Sequence, residues 1–314
     1  MTKNLLVRHE TILAALLVVA LIVLTTQSSH FFTVENLLNQ ARLMAEMGIV
    51  GLGMTFIIVT GGIDLSVGSI LGLVAILLGV FWKNVGLPLP VAIVLAIASG
   101  SLAGLFNGFV ITRFNVPPLI ATLATLALYR GLAEGISESR SVRGYPDWFY
   151  VLGQGEVWGI PTQLWVFLAL AIVAIFILGV TPFGRAIYAI GSNAVAARFS
   201  GISVNRSLLA IYTASGFLAS IAGVIFVSRV STTRSDMGTG LELDVITAVV
   251  LGGTSIFGGR GTVVGTLLGL MLMQALKSGL LLAGVKGDGT ITAIGVVLIG
   301  TVIVSNLFRM STDG

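Results

Sequence analysis

The chain has 314 residues, of which 56% are hydrophobic and only 10% charged, and its mean hydropathy is +1.04. A soluble domain carries about 25% charged residues, so this is a polytopic membrane protein, and about ten spans of about 20 residues leave no room for a soluble catalytic domain. The net charge of +4 is scattered among loops and span ends, which excludes nucleic acid as a partner, and the lack of cysteine excludes disulfides and thiolate metal sites.

In chain order, the hydrophobic pattern predicts spans over residues 11–27, 41–60, 66–82, 91–112, 116–134, 163–180, 207–228, 244–259, 262–283 and 289–308, of which 41–60 and 244–259 are open to being broken or only partly inserted. The expected fold is therefore all-α, one transmembrane domain over 1–314, with both termini on the same side. The first apolar stretch follows Lys3 and Arg8 as a secretory signal would, but it lacks a small-x-small cleavage site and reads as a retained helix. His9 and His30 flank it and belong to no ligand cluster.

Asp64 is the single ionisable side chain between Met47 and Trp82. A straight helix over that stretch would be about 54 Å long against a bilayer core of about 30 Å, so the chain must turn or break inside it. Gly61-Gly62 is the natural place, with Asp64 or Ser66 as N-cap of the next helix. An ionised Asp at mid-membrane costs about 2.5–3.5 kcal/mol, which places it at an interface, at a capped helix end or beside a polar pathway. A cap and hinge is the preferred role, ahead of a coupling or substrate-binding group. Glu46 and Arg130 fall nearer predicted span ends. Gly100, Gly104 and Gly108 recur every four residues, which predicts close helix packing rather than a glycine-lined pore.

The overall count of Lys and Arg does not set the orientation, but two loops differ in kind. The segment 134–163 mixes both charge signs with Trp148, Phe149, Tyr150 and Trp158 and suits an external loop; Thr181 to Arg206 carries Arg185, Arg198 and Arg206 with no acid and is placed in the cytoplasm. In the latter, Ser192 or Asn193 can cap a short helix over 194–199 that Gly201 ends. Its Ala196 and Ala197 would let it seat closely in a partner, with Arg198 available to a carboxylate and Phe199 to an apolar pocket; an ordinary amphipathic surface helix fits the loop equally well. Further on, the glycine pairs Gly252-Gly253 and Gly258-Gly259 flank a short apolar helix and echo the earlier break, which suggests an internal repeat.

Three segments, in order along the chain, are together similar to a known family: Gly62-Ile63-Asp64-Leu65-Ser66-Val67-Gly68-Ser69; Gly191-Ser192-Asn193 with Ala196-Ala197-Arg198 and Ser200-Gly201-Ile202; and Ala248-Val249-Val250-Leu251-Gly252-Gly253-Thr254-Ser255 with Gly258-Gly259 and Gly261. They resemble the membrane permeases of bacterial ATP-binding-cassette importers for ribose and related monosaccharides. The stretch from Ala121 to Gly131 looks most similar to the rhamnose and autoinducer-2 branch. The resemblance implies an inner-membrane permease, surrounded by membrane lipid and with both termini cytoplasmic, that pairs with a second copy or a related permease. It also implies a partner ATPase docked on the helix from Ser192 to Gly201 and a soluble sugar-binding protein outside. No Gly-x-x-x-x-Gly-Lys-Ser/Thr occurs, so ATP hydrolysis is expected from a separate subunit, and no cofactor or metal is expected. The rival reading is an ion-coupled secondary transporter with Asp64 as coupling group. An intramembrane enzyme is rejected, because no Ser-His pair, His-Glu cluster or metal-ligand spacing lies in the apolar spans.

Overall fold

The computed structural model describes residues 2–27, 30–138 and 140–285, together with 289, 292, 295, 296 and 299. Apart from those last five positions, the expected span at 289–308 lies outside the described residues. The helices are α1 (Thr2–Gln27), α2 (Val34–Val59), α3 (Val67–Gly79), α4 (Leu89–Phe114), α5 (Pro118–Ser137), α6 (Asp147–Gln154), α7 (Thr162–Val180), α8 (Pro182–Ser192), α9 (Ala194–Phe199), α10 (Val204–Val230), α11 (Leu241–Leu251) and α12 (Val263–Leu282). A π turn over Val80–Asn84 prolongs α3, and a two-stranded hairpin, β1 (Glu156–Val157) with β2 (Ile160–Pro161), joins α6 to α7. The protein is thus an all-α polytopic membrane protein. Among the described residues, eight helices are long and apolar enough to cross a bilayer: α1 to α5, α7, α10 and α12.

Of the two expectations for 244–259, a span or a partly inserted segment, the structure has the second, and the short helix precedes both glycine pairs instead of lying between them. That helix, α11, has 11 residues, about 17 Å of rise, roughly half of a bilayer core. Two boundaries also move for identifiable reasons. α2 starts at Val34 rather than near 41 because Thr33 caps it, its hydroxyl accepting from the Asn36 amide at 3.3 Å. The polar residues of the added turns are used against α12, where Gln40 donates to the Ser278 hydroxyl at 2.8 Å. Glu46 therefore falls near the middle of α2, and Arg130 lies deep in α5, neither near a helix end. Two helices had no counterpart among the expected elements. α8 begins with Pro182 in its first turn, capped by Thr181, and buries Ile187 and Ile190; α6 packs its fully buried Phe149 beneath Tyr145.

α2, α3 and α10 form the centre, with α2 buried almost continuously from Ala45 to Val59 and α3 buried along nearly its whole length. α4 lies directly on α10 through bare backbone. A Cβ on Gly104 would stand 2.2 Å from the Tyr212 carbonyl oxygen, and one on Gly216 would stand 2.3 Å from the Gly100 carbonyl oxygen. The glycines spaced by four in α4 therefore serve helix contact. α1 lies at the edge against α12, joined by the small cluster of Leu13, Leu17 and Leu272.

Candidate functional site: a glycine junction beneath an exposed helix

α2 and α11 end in the same way. Gly61 takes a left-handed φ of +82° and donates to Ile58 O at 2.9 Å, while Gly62 donates to Ile57 O at 3.1 Å. Gly253, at φ +89°, donates to Val250 O at 2.9 Å, and Thr254 donates to Val249 O at 3.3 Å. This paired closure satisfies carbonyls that a helix end leaves open, and glycine enters the left-handed region without steric cost. The two breaks then converge on the end of α8. The Gly259 amide donates to Val59 O at 2.9 Å. A Cβ on Gly191 would lie 1.8 Å from Val59 O and 2.5 Å from Gly259 N, and one on Gly258 would lie 2.9 Å from Gly61 N. The Tyr188 hydroxyl closes the group by donating to Gly261 O at 2.6 Å. Three segments far apart in sequence are therefore locked together through backbone, with no space for side chains.

α9 projects from this junction. Asn193 caps it, its Oδ1 accepting from the amides of Val195 at 3.0 Å and Ala196 at 2.9 Å. Ser192 is the last residue of α8 and makes no such bond. At the other end Gly201, at φ +82°, donates to Arg198 O at 3.1 Å and Ile202 donates to Ala197 O at 3.0 Å, so the helix is fixed at both termini. Ala197 is buried with Ile190 and Val204. The opposite side is bare: Phe199 is 90% exposed and Val195 63% exposed. Arg198 is also exposed and donates to Asn205 Oδ1 at 3.2 Å.

The descriptions of known proteins can be set against this geometry. The family described as "Branched-chain amino acid transport system / permease component" matches residues 36–307. The chain belongs to this permease family. It is 39% identical over 311 residues to the protein named ribose import permease protein RbsC of Escherichia coli K12, covering 97% of this chain and 95% of that one. The RbsC protein of Bacillus subtilis 168 is 39% identical over 290 residues, 91% of this chain and 89% of that one. The autoinducer 2 import system permease protein LsrD of Escherichia coli O9:H4 is 37% identical over 300 residues, with 94% and 91% covered. No solved structure matches the chain.

Within the permease, Asp64 does not cap α3. Ser66 holds the N-cap position without a side-chain capping bond, because its hydroxyl is used elsewhere. It donates to Asp64 Oδ1 at 2.6 Å and accepts from Asn107 Nδ2 at 2.7 Å. Asp64 Oδ1 also accepts from the Ser66 amide at 2.9 Å, and Tyr129 donates to Asn107 Oδ1 at 3.2 Å. Thr122 adds a bond to Ile63 O at 3.1 Å. The carboxylate thus closes the turn and ties it to α4 and α5. Its Oδ2, like the hydroxyl of Tyr212, is buried with no hydrogen-bond partner among the described residues.

Sequence reasoning missed the role of Arg130. Its Nη1 donates to Ser235 O and, at 2.9 Å, to Met237 O, and its Nη2 reaches Gly68 O at 3.4 Å. One side chain of α5 therefore pins the segment between α10 and α11 against the start of α3. Gly72 makes way for it, since a Cβ there would lie 2.7 Å from Arg130 Nη1, and Gly68 makes way for the pinned segment, since a Cβ there would lie 2.3 Å from Gly238 O. Glu46 in α2 accepts two bonds from Arg229 in α10, at 2.7 and 3.0 Å. Ionisable residues inside apolar helices were the available signal; the sequence carried no indication of their partners.

Proposed function

We propose that this permease is the membrane-spanning subunit, acting as one transmembrane domain, of an ATP-driven importer that moves a monosaccharide across the bacterial inner membrane by alternating access. The observation that carries the reading is α9, capped at both ends, presenting Phe199, Val195 and Arg198 outward and resting on the junction where both glycine breaks meet. A push on such a helix reaches α2, α8 and the segment after α11 directly, since their backbones are in contact. In this reading α9 docks in a separate ATPase on the cytoplasmic side, the face carrying α6 and the hairpin receives a sugar-binding protein, and a second permease copy or a related permease completes the pathway. The relatives named for ribose and autoinducer 2 import favour a small, polyhydroxylated cargo. Coupling requires contacts that differ between the two states, and α9 with its junction is the lever that can supply them.

The test is uptake of labelled monosaccharides into vesicles holding the permease, its ATPase and its binding protein, with and without ATP. ATP-dependent uptake is expected, and Arg198→Glu and Gly201→Pro should insert normally yet uncouple hydrolysis from transport. Normal uptake in both variants removes α9 from the coupling path. A second reading, an ion-coupled transporter, draws on the unpartnered Oδ2 of the buried Asp64; uptake driven by an ion gradient without ATP would establish it instead.

A further inference from the structure

An apolar groove of about 510 Å³ runs between the outer faces of α4 and α10, with Leu105, Leu209, Ala210, Ala214 and Phe217 in its wall and Arg206 at one end. The hydroxyls of Ser101 and Thr213 in its wall are used within their own helices, donating to Ile97 O at 2.9 Å and to Leu209 O at 2.7 Å, so the wall is predominantly hydrocarbon. On α10 the lining residues recur at three- and four-residue steps, forming one stripe. From Arg206 to Phe217 that stripe rises about 17 Å, close to half of a bilayer core about 30 Å thick. The groove therefore has the depth of one leaflet.

Its head is positively charged, with no ion pair to Arg206 or Arg113 among the described residues. No Asp or Glu occurs from Leu65 to Ala133 or from Val157 to Ser235, so α4, α10 and the loops at this end of them contribute none. Arg206 lies in the first turn of α10, where the helix dipole is itself positive and no acid is present. Arg113 in the last turn of α4 is brought to the same level, because Asn205 Nδ2 donates to Thr112 O at 3.4 Å. Both arginines are exposed. The small residues that would admit another helix closely, Gly100, Gly104, Gly108 and Gly216, are already used between α4 and α10.

We propose that this groove holds one anionic phospholipid, with its phosphate against Arg206 and Arg113 and an acyl chain lying along Leu209 to Phe217. The proposal is independent of what the permease transports. It is tested on the full chain in detergent by native mass spectrometry, titrating phosphatidylglycerol against phosphatidylcholine of the same chain length. The unmodified protein is expected to retain phosphatidylglycerol preferentially. Arg206→Gln should weaken that lipid about fivefold while leaving phosphatidylcholine unchanged, as one arginine near a membrane surface contributes. Ala214→Trp, which fills the groove, should weaken both lipids. Equal retention of the two lipids by the unmodified protein and by Arg206→Gln would overturn the proposal. The chain has no cysteine, so a disulfide between two Ala210→Cys copies in native membranes would also overturn it, by seating a second copy in the groove.

Discussion

The breaks after α2 and after α11 start alike and continue differently. Both helices end on a left-handed glycine with the same pair of backbone bonds. After α2 the chain is then held by side chains, through Asp64, Ser66, Asn107, Thr122 and Tyr129. After α11 it is held mainly by backbone: Ser255 N donates to Arg260 O, Gly258 N to Ser255 O and Gly259 N to Val59 O, each at 2.9 Å, with the Tyr188 hydroxyl on Gly261 O as the side-chain contribution. A shared glycine signature therefore specifies how a helix stops and says nothing about how the following turn is anchored. A polar anchor inside a membrane protein is specific in direction and sensitive to chemistry. A backbone anchor is sensitive to volume.

That contrast can be broken at defined points. The largest effect is expected from Gly191→Leu, since its Cβ alone would sit 1.8 Å from a carbonyl oxygen that cannot swing aside. Its cost should exceed the about 1–3 kcal/mol of ordinary overpacking, read as loss of monodisperse protein on size exclusion; a well-behaved variant would mean that the junction is loose. Asn107→Leu should come next, at about 1 kcal/mol, because it removes the amide that donates to the buried Ser66 hydroxyl, while Tyr129 keeps its bond to Ala103 O at 2.8 Å. Thermal unfolding in detergent checks it, and an unchanged midpoint would show that the first break does not depend on its side chains. Asp64→Asn should cost about 1 kcal/mol or less, because the amide oxygen can still accept from the Ser66 amide and hydroxyl. Substantial transport is expected to persist; complete loss in a correctly inserted variant would make the charge essential. The smallest effect should belong to Thr254→Val in the second break. The Thr254 hydroxyl oxygen is buried without a partner among the described residues, so its removal should leave the unfolding midpoint unchanged or slightly raised.

How far the sequence could be read follows the same division. Apolar runs gave most of the long helices, since a bilayer demands length and internal hydrogen bonding from each. The glycine-aspartate break, the asparagine-capped helix over 194–199 and its glycine stop were legible because each uses a residue type with few alternative roles. The half-length of α11 was legible only as an alternative, because Asp244 to Gly259 is as apolar as a span and the glycine pair at 252–253 alone marks where the helix ends. The start of α2 was missed for the opposite reason: Asn36 and Gln40 look like loop residues until α12 supplies Ser278 as their partner. Most obscure was the convergence of residues 61, 191 and 258. Contact between bare backbones leaves only glycine as a trace, and the chain has 40 glycines.

The interlock of α4 with α10 limits how the molecule can move. Helices separated by side chains can roll or slide as rotamers exchange, but where a carbonyl fills the space of a missing Cβ there is no rotamer to exchange. Gly104 against Tyr212 O and Gly216 against Gly100 O make the two helices a single strut. A conformational cycle that keeps this packing carries them as one body.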